Sequence, residues 1–193
     1  DWLGVPSVGP VILGRAGGVV VALQSVVAYP VGCLIQIVVQ ARRVAGQPVE
    51  DWWSMHDLVT GHFGYRRRVS GAPEGVLRIG VQFADGRKAT NLEQPPLFGG
   101  HDVALDADLD AAEEPAGPIL FDRGGGAGGG EWDASASRDA WLWPLPPTQP
   151  FEVVIEWPAA GIPLIRTPID GARVAEAAAQ AQPLWPNAAG AAS

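Results

Sequence analysis

Lysine is nearly missing from this chain of 193 residues: Lys88 is the only one, and cysteine and methionine also occur once each. A single cysteine excludes an intramolecular disulfide, so packing must hold the fold, and a reducing cytoplasm is the expected compartment. Cys33 alternates with Ile35, Ile37 and Val39, which places it as a buried, inert thiol rather than a nucleophile. Charge is scarce too. Only 18% of residues are charged against 47% hydrophobic, a balance that excludes a disordered chain and suits one domain with a real core. The net charge of −8 argues against nucleic acid as a general partner.

Catalytic and metal signatures are lacking as well. The three histidines fall at His56, His62 and His101. A six-residue His spacing is not a helical ligand pair, and no H-E-x-x-H or cysteine pair accompanies it, so no metal is expected. There is no G-x-S-x-G elbow for a Ser-His-Asp hydrolase. Glu152 and Glu156 share a strand face at roughly 13 Å, too far apart for paired acid and base work. Gly124, Gly126 and Gly129 match G-x-G-x-x-G, yet Glu131 and Asp133 follow where a phosphate site needs a helix N-terminus. No cofactor is expected.

One long uncharged run exists, from Ala16 to Ala41. Gln24, Gln36 and Gln40 interrupt it, Tyr29-Pro30-Val31-Gly32 breaks its middle, and β-branched residues dominate. Two buried strands joined by a turn explain it better than a membrane span. No basic n-region or A-x-A pattern marks a signal peptide.

What is abundant is glycine (25), proline (18) and tryptophan (8). Gly and Pro scattered among Val-rich runs are the turns of an all-β protein. Residues 18–30 and 33–43 are expected to be the first two strands, and 46–75 an irregular stretch with room for a short helix. In 76–83 the residues Leu77, Ile79, Val81 and Phe83 share one face; Asp85-Gly86 then turns the chain into a partner strand over 87–92. Residues 118–121, 140–145 and 151–158 complete the strands, the last with Phe151, Val153, Ile155 and Trp157 on one face. Thr167-Pro168-Ile169-Asp170 reads as a helix start with Thr as cap, and an Ala-rich helix is expected over about 168–182, with Val174, Ala178, Ala181 and Trp185 as its stripe. The tail 187–193 should fray.

The expected fold is therefore an antiparallel β-sandwich, or a partly open barrel, of about seven to nine strands, a single domain over 1–186 with one C-terminal helix. Its core should contain Val21, Leu23, Ile35, Ile37, Leu77, Ile79, Val81, Phe83, Val153, Ile155 and Trp157. Residues 93–118 hold seven acids and no base, an excursion that is either mobile or a lid; with 124–130 it should be the most mobile internal chain.

Charge splits along the chain: residues 1–92 carry a balance of +3 and residues 93–193 one of −11. Arg66, Arg67 and Arg68 form the only basic cluster. Trp52, Trp53, Trp132, Trp141 and Trp143 are the candidate binding residues, with Trp52-Trp53 foremost because neighbours in an extended strand cannot both face one core. Pro144, Leu145, Pro146 and Pro147 fit P-x-x-P, though a rigid exit from a strand explains them equally. These features point to a non-enzymatic protein-interaction or scaffold module, acting through an unknown protein partner or self-association. The alternative is a small-molecule or glycan-binding sandwich whose exposed Trp stack on a flat ligand, enzymes included.

The sequences G-V-Q-F-A-D-G-R-K-A-T-N-L, the glycine run followed by Trp, W-L-W-P-L-P-P, E-W-P-A-A-G-I and the closing L-W-P resemble a family of actinobacterial proteins. The resemblance covers most of residues 18–186 and implies no activity and no functional residue.

Overall fold

The computed structural model describes residues 2–61, 75–92 and 117–185. In chain order its elements are β1 (Trp2–Leu3), β2 (Val5–Val8), β3 (Val11–Ala16), β4 (Val19–Tyr29), β5 (Gly32–Arg42), α1 (Val49–Gly61), β6 (Arg78–Gln82), β7 (Lys88–Thr90), β8 (Ile119–Gly129), β9 (Asp133–Trp143), β10 (Phe151–Trp157), β11 (Ile162–Ile169), α2 (Gly171–Ala178) and β12 (Gln182–Pro183). Every strand pair among them is antiparallel. The large sheet runs β2-β4-β5-β9-β8, with β3 beside β2 on β4; a second sheet runs β11-β10-β6-β7; β1 and β12 make a small ribbon.

Alternation builds the large sheet. In β5 Cys33, Ile35, Ile37, Val39 and Ala41 are buried, while Gln40 and Arg42 on the other face are exposed. Their register partners in β9, from Leu142 to Ala134, are buried on the same inner face. The second sheet turns Ile79, Val81, Val153, Ile155 and Trp157 towards this face, and the two sheets share one core. Phe83 and Phe151 meet edge to face with centroids 6.1 Å apart, a favoured aromatic geometry. All eleven expected core residues are buried. The Asp85-Gly86 turn also forms: Gly86 adopts φ 88° and β7 pairs with β6.

The expected single C-terminal helix is corrected to two α-helices among the described residues. Within the stretch read as irregular, Pro48 precedes α1 and Glu50 and Asp51 sit in its first turn, where acids complement the helix dipole. Trp52 and Val59 point inward and are fully buried. The helix packs against β5, β8 and β9, whose inner side there is small: Ala41, Ala134 and Ala136. The second helix is shorter than 168–182. Thr167, Pro168 and Ile169 extend β11, and Asp170 rather than Thr167 caps the helix, its Oδ1 accepting from the Ala172 N–H at 3.0 Å. Pro168 does not open the helix because β11 pairs with β10 as far as Ile169. Trp185 lies beyond the helix and is 65% exposed.

Twelve strands appear among the described residues, not seven to nine, and three short ones precede residue 18. The largest correction concerns the glycine run. Residues 124–129 are not a loop but part of the eleven-residue strand β8, paired with β9 from Ile119↔Trp143 to Gly129↔Ala134. The ladder needs glycine in places: a Cβ at Gly129 would stand 2.7 Å from the Ala134 Cα and from the Asp133 carbonyl oxygen. The acidic excursion, apart from residues 117–118, lies outside the described residues. So do Arg66, Arg67, Arg68 and residues 187–193.

Candidate functional site

The structure separates the five candidate tryptophans. Trp132 lies just before β9 and Trp141 near its far end, about 30 Å apart at strand rise, so they do not form one site. Trp52 is removed from the set: it is fully buried, and its indole Nε1–H donates to the Gly130 carbonyl at 3.1 Å. The two neighbours differ because they sit on a helix, where adjacent residues point about 100° apart, so Trp52 goes in and Trp53 out.

The first surface joins the start of α1, residues 43–48 and the β8–β9 turn. Trp53 is 43% exposed and Trp132 64% exposed, with Val44 and Val49 exposed beside them. The Arg43 guanidinium carbon stands 5.2 Å from the centroid of the Trp132 ring, within cation–π range. Three hydrogen bonds fix the frame. The Arg43 N–H donates to the Trp132 carbonyl at 3.0 Å, the Val44 N–H to Gln47 Oε1 at 3.1 Å, and the Arg43 side chain to the Gln47 carbonyl at 3.2 Å. The Trp53 ring meets His56 edge-on at 5.0 Å.

The second surface is the outer face of the large sheet near its other end. Register sets Val27, Leu34, Trp141 and Phe121 side by side across four strands, with Trp143 beside Ile119 two residues further along. All are half-buried. Trp141 lies over Gly32, where a Cβ would come within 2.7 Å of the indole, and its ring centroid is 5.3 Å from that of Tyr29. Next to this apolar row runs a polar one. Ser25 Oγ donates to Gln36 Oε1 at 2.6 Å, and Gln36 Nε2 donates to Asp139 Oδ1 at 3.3 Å. The chain of bonds orients Asp139 beside the aromatic row.

The strand holding Trp141 and Trp143 is not an edge strand, since β5 and β8 flank it; it ends at Trp143. Leu145 therefore leaves their face, its N–H donating to the Val31 carbonyl at 3.0 Å. Pro146 is buried, so the P-x-x-P stretch is a packed exit rather than a free polyproline ligand.

The remaining titratable groups read as structure. Glu156 pairs with Arg78, and Glu152 with Arg166 at 2.7 Å. Arg138 is buried, and burial pushes its guanidinium below the ordinary value while Asp122, 3.5 Å away, acts in the other direction. Burial pushes the Cys33 thiol up to about 12, a value that keeps it protonated and unreactive. Among the described residues no three His, Cys, Asp or Glu side chains gather to hold a metal ion, and no helix is long and apolar enough to cross a membrane.

Sequence reasoning missed Tyr29, Ser25, Gln36, Asp139 and Arg43. Tyr29, Ser25 and Gln36 lie on the outer face of strands read only for their buried face, and Asp139 lies in β9 ahead of residues 140–145, the stretch expected to be the strand. Gln36 interrupting an apolar run was the one visible signal. No protein-family model, curated protein or solved structure matches this chain.

Proposed function

We propose that this protein is a non-enzymatic interaction module, a β-sandwich scaffold that receives a protein partner on the surface formed by Arg43, Val44, Val49, Trp53 and Trp132. The observation that carries this reading is the exposed Trp132, held in a hydrogen-bonded frame with Arg43 stacked on it, with a second exposed tryptophan, Trp53, on the neighbouring helix α1. Trp and Arg are the residues in which binding energy concentrates, and a pre-ordered patch loses little entropy on docking. The single buried thiol fits a reducing cytoplasm as the setting. The experiment is affinity capture from the native host with the wild-type chain and with Trp53→Ala/Trp132→Ala. Proteins held by the first and lost by the second, at an unchanged melting temperature, support the reading. The same set retained by both rejects it.

A second reading rests on a different observation. The aromatic row of Trp141 and Tyr29 borders the oriented Ser25-Gln36-Asp139 chain, a combination that suits a flat, hydroxylated ligand such as a glycan. Titration with oligosaccharides, following tryptophan emission in wild type and Trp141→Ala, tests it; an unshifted spectrum across the series removes it.

A further inference from the structure

The outer edge of β8 pairs with no strand among the described residues, because β8 ends the hydrogen-bonded order of the large sheet, although β7 approaches β8. Natural edge strands of this length are guarded by lysine, proline, bulges or a covering element. Here a register shift lies between Asp122 and Gly124, and beyond it Gly124 to Gly129 carries neither Lys nor Pro and is exposed throughout. The direction of the backbone groups follows from two contacts. The Gly126 N–H donates to Ser137 Oγ at 3.2 Å and the Gly130 N–H to the Asp133 carbonyl at 2.7 Å, both towards β9. Alternation along an antiparallel strand then turns the N–H and C=O of Gly125, Ala127 and Gly129 away from β9. Only an extended backbone offers matching donors and acceptors at that spacing.

The charges flanking this edge say which backbone fits. Arg123 and Glu131 are exposed, stand at equal distances in sequence on either side of Ala127, and make no ion pair among the described residues. We propose that β8 pairs antiparallel with β8 of a second copy of this chain, about a two-fold axis at Ala127. In that register Gly125 faces Gly129 and Ala127 faces itself, while Arg123 at the register shift of each copy comes to the end of the ladder where Glu131 of the other copy follows the strand. About six backbone hydrogen bonds form, two for each narrow pair, and the small residues between the charges put no side chain in the way. The contact is isologous, so it closes at a dimer and leaves no growing edge. It leaves the Trp141 row free but brings Glu131 close to Trp132 of the first surface, so the Ala127→Cys cross-link, which touches the residues of neither reading, keeps the outcome for this edge separate from the outcome for function.

Light scattering coupled to gel filtration, at loading up to ~100 μM so that a weak dimer is populated, should give twice the chain mass. Arg123→Glu or Glu131→Arg alone should weaken the dimer by about tenfold or more through like-charge contact, and the two together should restore it. Ala127→Cys supplies an independent readout. A hydrogen-bonded antiparallel pair sets its Cα atoms about 5.5 Å apart, inside the roughly 4.4–6.8 Å that a disulfide spans. Mild oxidation should therefore give a covalent dimer of Ala127→Cys. The same treatment should leave Ala159→Cys, exposed in another part of the chain, and the wild type with its buried Cys33 as single chains. A monomer throughout the range overturns the proposal. So does a dimer that ignores both charge variants and gives no cross-link in the Ala127→Cys variant, since it must then form elsewhere.

Discussion

Two strands flank β9, and they could hardly be less alike. β5 and β8 are each eleven residues long and each pairs with β9 along most of its length. β5 buries Cys33, Ile35, Ile37, Val39 and Ala41 and is a strand by its own side chains. β8 buries only Leu120, and from Asp122 to Gly129 every residue is exposed. Glycine disfavours an extended strand by about 0.5–1 kcal/mol per residue relative to alanine, so β8 is a strand by virtue of its neighbours. The ladder to β9 orders it on one side, and α1 secures its end through the Trp52 bond to Gly130. Sheet membership, then, is a property of the position as much as of the segment.

If β8 depends on α1, removing the anchor should have the largest effect. Trp52→Ala takes away a fully buried indole and the bond to Gly130, and should cost ~3–5 kcal/mol by chemical denaturation. Hydrogen exchange should report the loss first at the amides of 124–130. Trp53→Ala, one residue on but exposed, should stay within about 0.5 kcal/mol. Equal losses in the two variants would mean that Trp53 also packs.

The next effect belongs to β5. Its thiol has a folded-state value pushed up to about 12 by burial, from an ordinary 9.0. A raised folded value means that the unfolded chain loses this proton first. The stabilising contribution is whole below about pH 9 and is lost as the pH rises towards about 12, on the order of 4 kcal/mol across the window. Cys33→Ala should flatten this part of the alkaline stability curve; an identical curve would show that the thiol is hydrated in the native state. Nothing comparable exists on β8, which has no buried titratable group of its own.

The same contrast explains what was legible in the sequence. β5 and β10 alternate along their length, β4 alternates on either side of a bulge between Leu23 and Ser25, and β6 carries Ile79 and Val81 on one face, so these elements, their core faces and the Asp85-Gly86 turn could be read from residues alone. β8 could not, because poly-glycine carries no hydrophobic period and reads as a loop wherever it occurs. Helix α2 was seen but started too early: Thr167-Pro168 has the form of a cap, and the pairing of Thr167 with Val153 overrode it. Helix α1 was obscured by its tryptophans, whose inward and outward directions follow a helical period that a strand reading misassigns. The candidate surfaces were half legible. Trp53 and Trp132 are exposed, but the extended-strand argument that singled out Trp52-Trp53 does not apply on a helix, and the Tyr29–Trp141 contact depends on Gly32 and on a register that only the folded sheet supplies.

Within β8 itself the comparison can be sharpened at single glycines. Gly129 approaches β9 so closely that a Cβ would meet the Ala134 Cα and the Asp133 carbonyl. Both are backbone atoms that cannot swing aside, so Gly129→Ala should destabilise by about 1–3 kcal/mol. The loss should be visible as a lower denaturation midpoint.

Gly128, one residue earlier, should show the smallest effect and the opposite sign. A Cβ there meets nothing within 4 Å, and its φ is not in the left-handed region. Alanine can take the native conformation without strain, and it narrows the unfolded ensemble that glycine leaves wide. Gly128→Ala should therefore stabilise by about 0.4–1 kcal/mol, read as a higher denaturant midpoint at an unchanged slope. Its side chain points out of the sheet plane rather than along the free edge, so the proposed β8 pairing should survive the substitution. If Gly128→Ala instead destabilises as much as Gly129→Ala, the steric demand is not confined to the close-approach position. The whole run would then need glycine, and the account of β8 as a strand imposed by its neighbours at a few tight contacts would fail.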